Sequence, residues 1–177
     1  MKRDFDTFFT ADTHFGHANI IKYCPRSRGR FASVEEMDEG LIEAWNARVG
    51  ERDLVYHLGD VAFEGAARAV EILRRLNGYK VLIVGNHDGR LLKRKEFRDE
   101  FVQIASRIEL MLDCGATVTL SHEPLPAWDT DFHLFGHEHG QGAVAHGSLD
   151  VGVDTREDVA PWTWQEIEAK INSLSKC

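Results

Sequence analysis

Three apolar runs of strand length, Phe5–Ala11, Asp53–Leu58 and Tyr79–Val84, alternate with stretches of helical periodicity, and each run halts at a polar motif. The first helical stretch opens at Ser33-Val34-Glu35-Glu36, a capping box in which Ser33 can accept from the backbone N–H of Glu36. Val34, Met37, Leu41, Ile42 and Trp45 then recur at helical spacing, and Gly50 follows the end. The second runs from Phe63 to Leu76, with Ala66, Val70, Leu73 and Leu76 on one face and Asn77-Gly78 as its stop. This β-α-β-α-β order implies parallel strands joined by right-handed crossovers.

Past a charged, helix-patterned stretch at Arg90–Asp99 the chain becomes richer in strands. Val102, Ile104, Ile108 and Leu110 alternate as one strand, and the turn signal Asp113-Cys114-Gly115 leads into Ala116–Leu120, a hairpin. Phe132–Phe135 and the segments around Gly142–Ala145 and Leu149–Val153 read as further strands. Thr163-Trp164-Gln165-Glu166 is a second capping box, opening a last helix with Ile167 and Ile171 on its apolar side. With no repeat, low-complexity tract or linker, residues 1–177 are expected to form one α/β domain with a more β-rich second half.

The polar stops carry the chemistry. They are Asp12-Thr13-His14, Gly59-Asp60, Gly85-Asn86-His87-Asp88, Ser121-His122 and Gly136-His137-Glu138-His139. Ligands at the carboxyl ends of parallel strands are where open α/β sheets build their sites. Residues two apart on a strand point the same way, so Asp12 and His14, and likewise His137 and His139, are expected to converge. Gly59, Gly85 and Gly136 each precede a polar residue, and glycine lets the backbone turn sharply and approach a ligand. Carboxylates, imidazoles and an amide oxygen together suit Mn, Fe, Zn, Co or Ni better than Mg or Ca alone. A carboxylate such as Asp60 can bridge two ions, as a lone histidine cannot. The motifs thus predict a pocket for two divalent cations and a hydrolase.

Composition narrows the function further. Net charge is −8, which disfavours long nucleic acid as a partner. Two divalent ions held by two carboxylates still leave a local charge of roughly +2 to receive a phosphate. The longest apolar runs are strand-sized, as in Val81–Val84, and no apolar segment of signal-peptide type follows the basic residues near Met1, so a cytoplasmic protein without membrane spans is expected. Cys24, Cys114 and Cys177 are odd in number and show no CxxC spacing, which argues against a disulfide framework, a structural zinc site or a catalytic thiol.

In order and spacing the motifs resemble the signature of the calcineurin-like metallophosphoesterase superfamily: D-x-H, G-D, G-N-H-D/E, H and G-H-x-H. The resemblance covers Asp12 through His139, and every motif position is present. More narrowly, Asp12-Thr13-His14-Phe15-Gly16-His17-Ala18-Asn19-Ile20-Ile21 and Val55-Tyr56-His57-Leu58-Gly59-Asp60 are similar to a compact bacterial and phage subgroup made of the catalytic domain alone. The resemblance implies a four-layer α/β/β/α sandwich of two mixed sheets flanked by helices. It implies Asp12, His14 and His139 on a first metal, Asn86, His122 and His137 on a second, and Asp60 bridging them. It also implies that His87 contacts the substrate phosphate or protonates the leaving oxygen, with Asp88 orienting it. The reaction implied is hydrolysis of a P–O ester in a small phosphorylated substrate, diester or monoester, by attack of a metal-bridging hydroxide, with manganese the ion expected to work best in vitro. A nucleotide pyrophosphatase or a nuclease on the same site remains open. A non-catalytic interaction scaffold is the contrasting class, and retention of His87 argues against it.

Several residues near the motifs are less defined by the sequence. Asn86, His17 and Arg28 are candidates for substrate contact, and Arg26, Arg28 and Arg30 could grip a second phosphate or lie on a solvated loop. His57 reads as a packed, hydrogen-bonded histidine, and His133 and His146 as structural or exposed. Trp128, Trp162 and Trp164 read as core or interface. Asp154, after a strand, could partner a ligating histidine.

Overall fold

The computed structural model describes residues 5–142 and 146–174. The first sheet contains β1 (Thr7–Thr10), β2 (Leu54–His57), β3 (Tyr79–Ile83), β4 (Gln103–Ala105) and β9 (Trp162–Thr163) in the order β4-β3-β2-β1-β9. Its first four strands are parallel, and β9 joins β1 antiparallel. The second sheet holds β5 (Arg107–Met111), β6 (Thr117–Ser121), β7 (Phe132–Phe135) and β8 (Ser148–Asp150), with an antiparallel β5–β6 hairpin and parallel pairs after it. Two mixed sheets flanked by helices is the architecture expected.

Alternation along the strands explains the layering. Phe8, Val55 and Leu82 face one way and join Met37, Leu41, Trp45, Val70 and Leu73 of α3 (Val34–Asn46) and α4 (Ala66–Arg75) in one core. Phe9, Leu58 and Ile83 face the other way and meet Val118, Leu120, Leu134 and Leu149 between the sheets. Each such side chain, fully buried, contributes about 1.5–3 kcal/mol. Helix α6 (Trp164–Leu174) adds Ile167 and Ile171 to the inter-sheet core. Both capping boxes form, the first with its carboxylate reaching one residue further back: Glu36 N–H donates to Ser33 Oγ at 3.2 Å while its carboxylate accepts from Ala32 N–H at 2.8 Å, and the Glu166 carboxylate accepts from the Thr163 N–H at 2.9 Å.

The structure departs from the sequence expectations in four places. The alternating run from Val102 to Leu110 is two strands, because the chain leaves the first sheet after Ala105 and enters the second at Arg107. The stretch Arg90–Asp99 is a 3-10 segment, Asp88–Lys93, followed by the one-turn helix α5 (Lys95–Arg98). Helix α4 begins at Ala66, after the cap residue Gly65, rather than at Phe63. Leu149–Val153 is a strand only to Asp150, and Val153–Thr155 turns into a 3-10 helix. The strand expected around Gly142–Ala145 falls largely on residues 143–145, and Cys177 on the C-terminal three, all outside the described residues. No helix among the described residues is long and apolar enough to cross a membrane.

Between β1 and α3 the irregular segment forms two single turns, α1 (Ile20–Tyr23) and α2 (Pro25–Arg28). Buried Asp38 of α3 reaches this loop, accepting from Gly16 N–H at 2.9 Å. Burial raises the Asp38 pKa from 3.8 to about 6, and the Gly16 hydrogen bond opposes that only partly. A raised carboxyl pKa means that the folded state holds this proton more tightly than the unfolded chain. Its stabilising contribution is therefore complete below pH 3.8 and lost as pH rises through 6. Asp38→Asn, which keeps an acceptor for Gly16, should gain roughly 1–3 kcal/mol at pH 8 and little at pH 4. Urea unfolding at both pH values checks this; an equal effect at each, or a loss at pH 8, contradicts it.

Candidate metal centre

Every motif lies just past the carboxyl end of a strand: Asp12 after β1, Asp60 after β2, Asn86 after β3, His122 after β6 and His137 after β7. The loops after β1 and β2 run side by side, with Asp12 N–H on Gly59 O, His14 N–H on Asp60 O and Phe15 N–H on Val61 O at 3.0–3.1 Å. Gly85 allows the β3 loop to close on them, since a Cβ there would stand 2.3 Å from Asp60 Oδ1.

The convergence does not come from strand alternation. Asp12, His14, Asp60, His137 and His139 all have left-handed backbone, φ between 49° and 72°, and they are five of the six described non-glycine residues that do. Such a conformation is tolerated best by Asn, Asp and His and costs of order 1–3 kcal/mol. It swings each side chain out of the sheet and inward.

The donors fall into two clusters. The ligand atoms of Asp12, His14 and His139 lie within 4.8 Å of one another. Asn86 Oδ1 lies 2.8 Å from His122 Nε2 and 3.1 Å from His137 Nδ1, and the two ring nitrogens are 3.2 Å apart. Asp60 Oδ2 sits between them, 3.6 Å from His14 Nε2 and 3.5 Å from His122 Nε2. Each carboxylate is aimed by a backbone donor from another motif. His137 N–H holds Asp12 Oδ2 at 2.9 Å, and His87 N–H holds Asp60 Oδ1 at 2.9 Å, which leaves the other oxygen facing inward.

This donor set fits metal ions. Asp12 Oδ1 and both ring nitrogens of His14 are buried with no hydrogen-bond partner among the described residues, a costly state unless a cation completes them. His122 Nδ1 meets the Leu58 carbonyl at 2.7 Å and must donate to it, so a neutral ring turns the Nε2 lone pair toward the lone pairs of Asn86 Oδ1. Burial drives the pKa of His14 down to about 2 and that of Asp12 well above the usual carboxylate range. Burial also works against a charged His139, but its bond to Asp154 and the nearby Asp12 prevail and raise it to about 10. An arriving cation must displace that proton.

Asp154 is the partner suggested for a ligating histidine: its Oδ2 accepts from His139 Nδ1 at 2.7 Å, which leaves Nε2 for an ion. The structure corrects two other expectations. Asp88 does not touch the His87 ring; fully buried, its carboxylate accepts from the backbone N–H groups of Asp60, Val61 and Gly85 at 2.8–3.0 Å, because the turn brings all three donors to it. Arg28, a candidate for substrate contact or a solvated loop, is instead fully buried and spends its donors on Asp154 and on backbone carbonyls, while Arg26 and Arg30 stay exposed.

His57 is packed as expected, its Nε2 2.9 Å from Thr13 Oγ1, which itself donates to Val61 O. His133 is buried against Ser121 Oγ at 2.7 Å, and His146 is exposed. The His87 side chain is 47% exposed at the mouth, with Nε2 3.9 Å from Asp60 Oδ2. Phe63, which the sequence marked only as a helix start, packs against His14, His17 and His87 with ring centroids 4.9, 4.1 and 4.7 Å away. His17 thus lies at the rim, stacked on Phe63. Asp150, also not foreseen, holds the last motif loop by accepting from Gly140 and Gly152 N–H at 2.8 Å. Its only sequence signal is its place at a strand end.

Paired sheets with such donors at their strand ends define a metal-dependent hydrolase. The sequence says which: the model of the calcineurin-like phosphoesterase family matches residues 6–125, and the chain belongs to that family. Its members generally bind two divalent metals. The chain is 39% identical over 137 residues to an uncharacterized protein of Methanocaldococcus jannaschii, an alignment spanning 75% of this chain and 68% of that one. It is 35% identical over 135 residues to the gene 66 protein of Mycobacterium phage L5, spanning 67% of this chain and 63% of the phage protein. A solved structure of a protein of unknown function from Aquifex aeolicus is similar in fold, with a TM-score of 0.72 at 24% identity over 94% of this chain and 100% of that one.

Proposed function

We propose that this chain is a phosphoesterase that uses two divalent cations to hydrolyse a P–O ester bond in a small phosphorylated molecule, diester or monoester. The observation that carries the proposal is Asp60 Oδ2, poised between two donor clusters with half-exposed His87 beside it. Asp12, His14 and His139 would hold one cation, Asn86, His122 and His137 the other, and Asp60 both. Bound there, the ions would neutralise phosphoryl oxygens and lower the pKa of a coordinated water toward neutrality. The chain's own part is to aim the ligands through backbone donors and to deliver a proton. As water attacks phosphorus in line and the P–O bond to the leaving group breaks, His87 hands its proton to the departing oxygen. His17, stacked on Phe63 at the rim, is placed to touch the substrate, and Asn86 can do so from its ligand position. The net charge of −8 favours a small phosphate over a long polyanion.

Treatment with a chelator should abolish activity on a panel of aryl phosphates and cyclic nucleotides, and Mn²⁺ should restore it with two ions per chain by metal analysis. Full activity in the chelated protein, or restoration with no more than one ion bound, would overturn the proposal.

A further inference from the structure

Among the described residues, Arg28 is the most completely enclosed cation that the proposed chemistry leaves unused. It ends the one-turn helix α2 and has no exposed surface. Nε and Nη2 form a two-pronged bond to Asp154, 2.8 Å to each carboxylate oxygen. Nη2 also donates to the Asp12 carbonyl at 2.6 Å, and Nη1 to the Thr13 carbonyl at 2.8 Å. Ser27 Oγ adds a 2.5 Å bond to Asp154 Oδ1, and the remaining oxygen orients His139.

One guanidinium therefore reaches all three members of a single donor cluster. It holds His139 through Asp154, Asp12 through its own carbonyl, and His14 through the carbonyl that precedes it. None of its bonds reaches Asn86, His122 or His137. Both carbonyl contacts fall where the backbone is left-handed or about to become so, and they help to offset the cost of that conformation. A buried ion pair is an inefficient source of stability compared with apolar packing, so geometry is the better account of its presence.

We propose that Arg28 is the positioning residue of the first cation site, setting the affinity of that site and not of the second. The proposal rests on Asp12, His14 and His139 acting as one ion's ligands. The test is calorimetric titration of the metal-free protein with Co²⁺, with visible absorption spectra recorded alongside, in wild type, Arg28→Met, Arg28→Lys and Asp154→Asn. Wild type should bind two ions. In Arg28→Met and Asp154→Asn, one site should weaken by about 10–100-fold while the other keeps its affinity and spectrum. Arg28→Lys, with a point charge but no fork, should fall between. Adding His137→Ala to lower the second site identifies the weakened site as the first.

Equal weakening of both sites, or of neither, in a variant with native circular dichroism overturns the inference. If Arg28→Met does not fold, Arg28→Lys decides by the same criterion. A wild type that binds fewer than two ions would instead refute the two-cation reading on which this stands.

Discussion

His87→Ala should leave two metal ions bound and lower turnover by about 10²–10⁴-fold, the range of a general acid. The His87 ring is half exposed and belongs to neither donor cluster. The contribution of this residue to metal geometry is its backbone N–H on Asp60 Oδ1, and alanine keeps that bond. The defect should be deepest for substrates with poor leaving groups, which need the proton most. Metal analysis beside kcat on a leaving-group series checks this. Undiminished turnover would remove His87 from the mechanism, and loss of an ion would move it into the coordination shell.

The second large effect is expected at Asp88. Asp88→Ala leaves the buried N–H groups of Asp60, Val61 and Gly85 without their acceptor. At about 1–3 kcal/mol for each unsatisfied group, the loss should be roughly 3–5 kcal/mol once partial water entry is allowed for. Because one of these groups belongs to Asp60, which the proposal places on both ions, metal affinity and turnover should fall as well. Denaturant unfolding distinguishes this from the role implied by family resemblance. Were Asp88 only an orienter of His87, stability would scarcely change and turnover alone would drop.

Much of the site was readable because each ligand follows an apolar strand that stops abruptly. The runs before Asp12, Asp60 and Asn86 became β1, β2 and β3, and the hairpin and both capping boxes formed where their turn and cap residues stand. What escaped has a physical reason in each case. The alternation of Ile104, Ile108 and Leu110 continues across Ser106, so no periodicity marks the passage from one sheet to the other. Arg26, Arg28 and Arg30 look alike along the chain, and only the packing of α2 on the loop of Asp12 and on Asp154 separates the buried one from the exposed pair. Asp88 sits beside His87 in sequence, yet its carboxylate turns to the neighbouring loop. The left-handed ligands were invisible because adjacency on a strand offered a simpler geometry for the same convergence.

That backbone conformation limits what evolution can write at the site. Positions 12, 14, 60, 137 and 139 suit Asp, Asn or His better than glutamate or a β-branched residue, for which the left-handed conformation costs more. Exchanges within this three-letter alphabet alter charge and ligand hardness while the loops stay where they are. Under the proposed two-cation function, the chain carries a backbone frame on which single substitutions would retune ligand character without moving the loops.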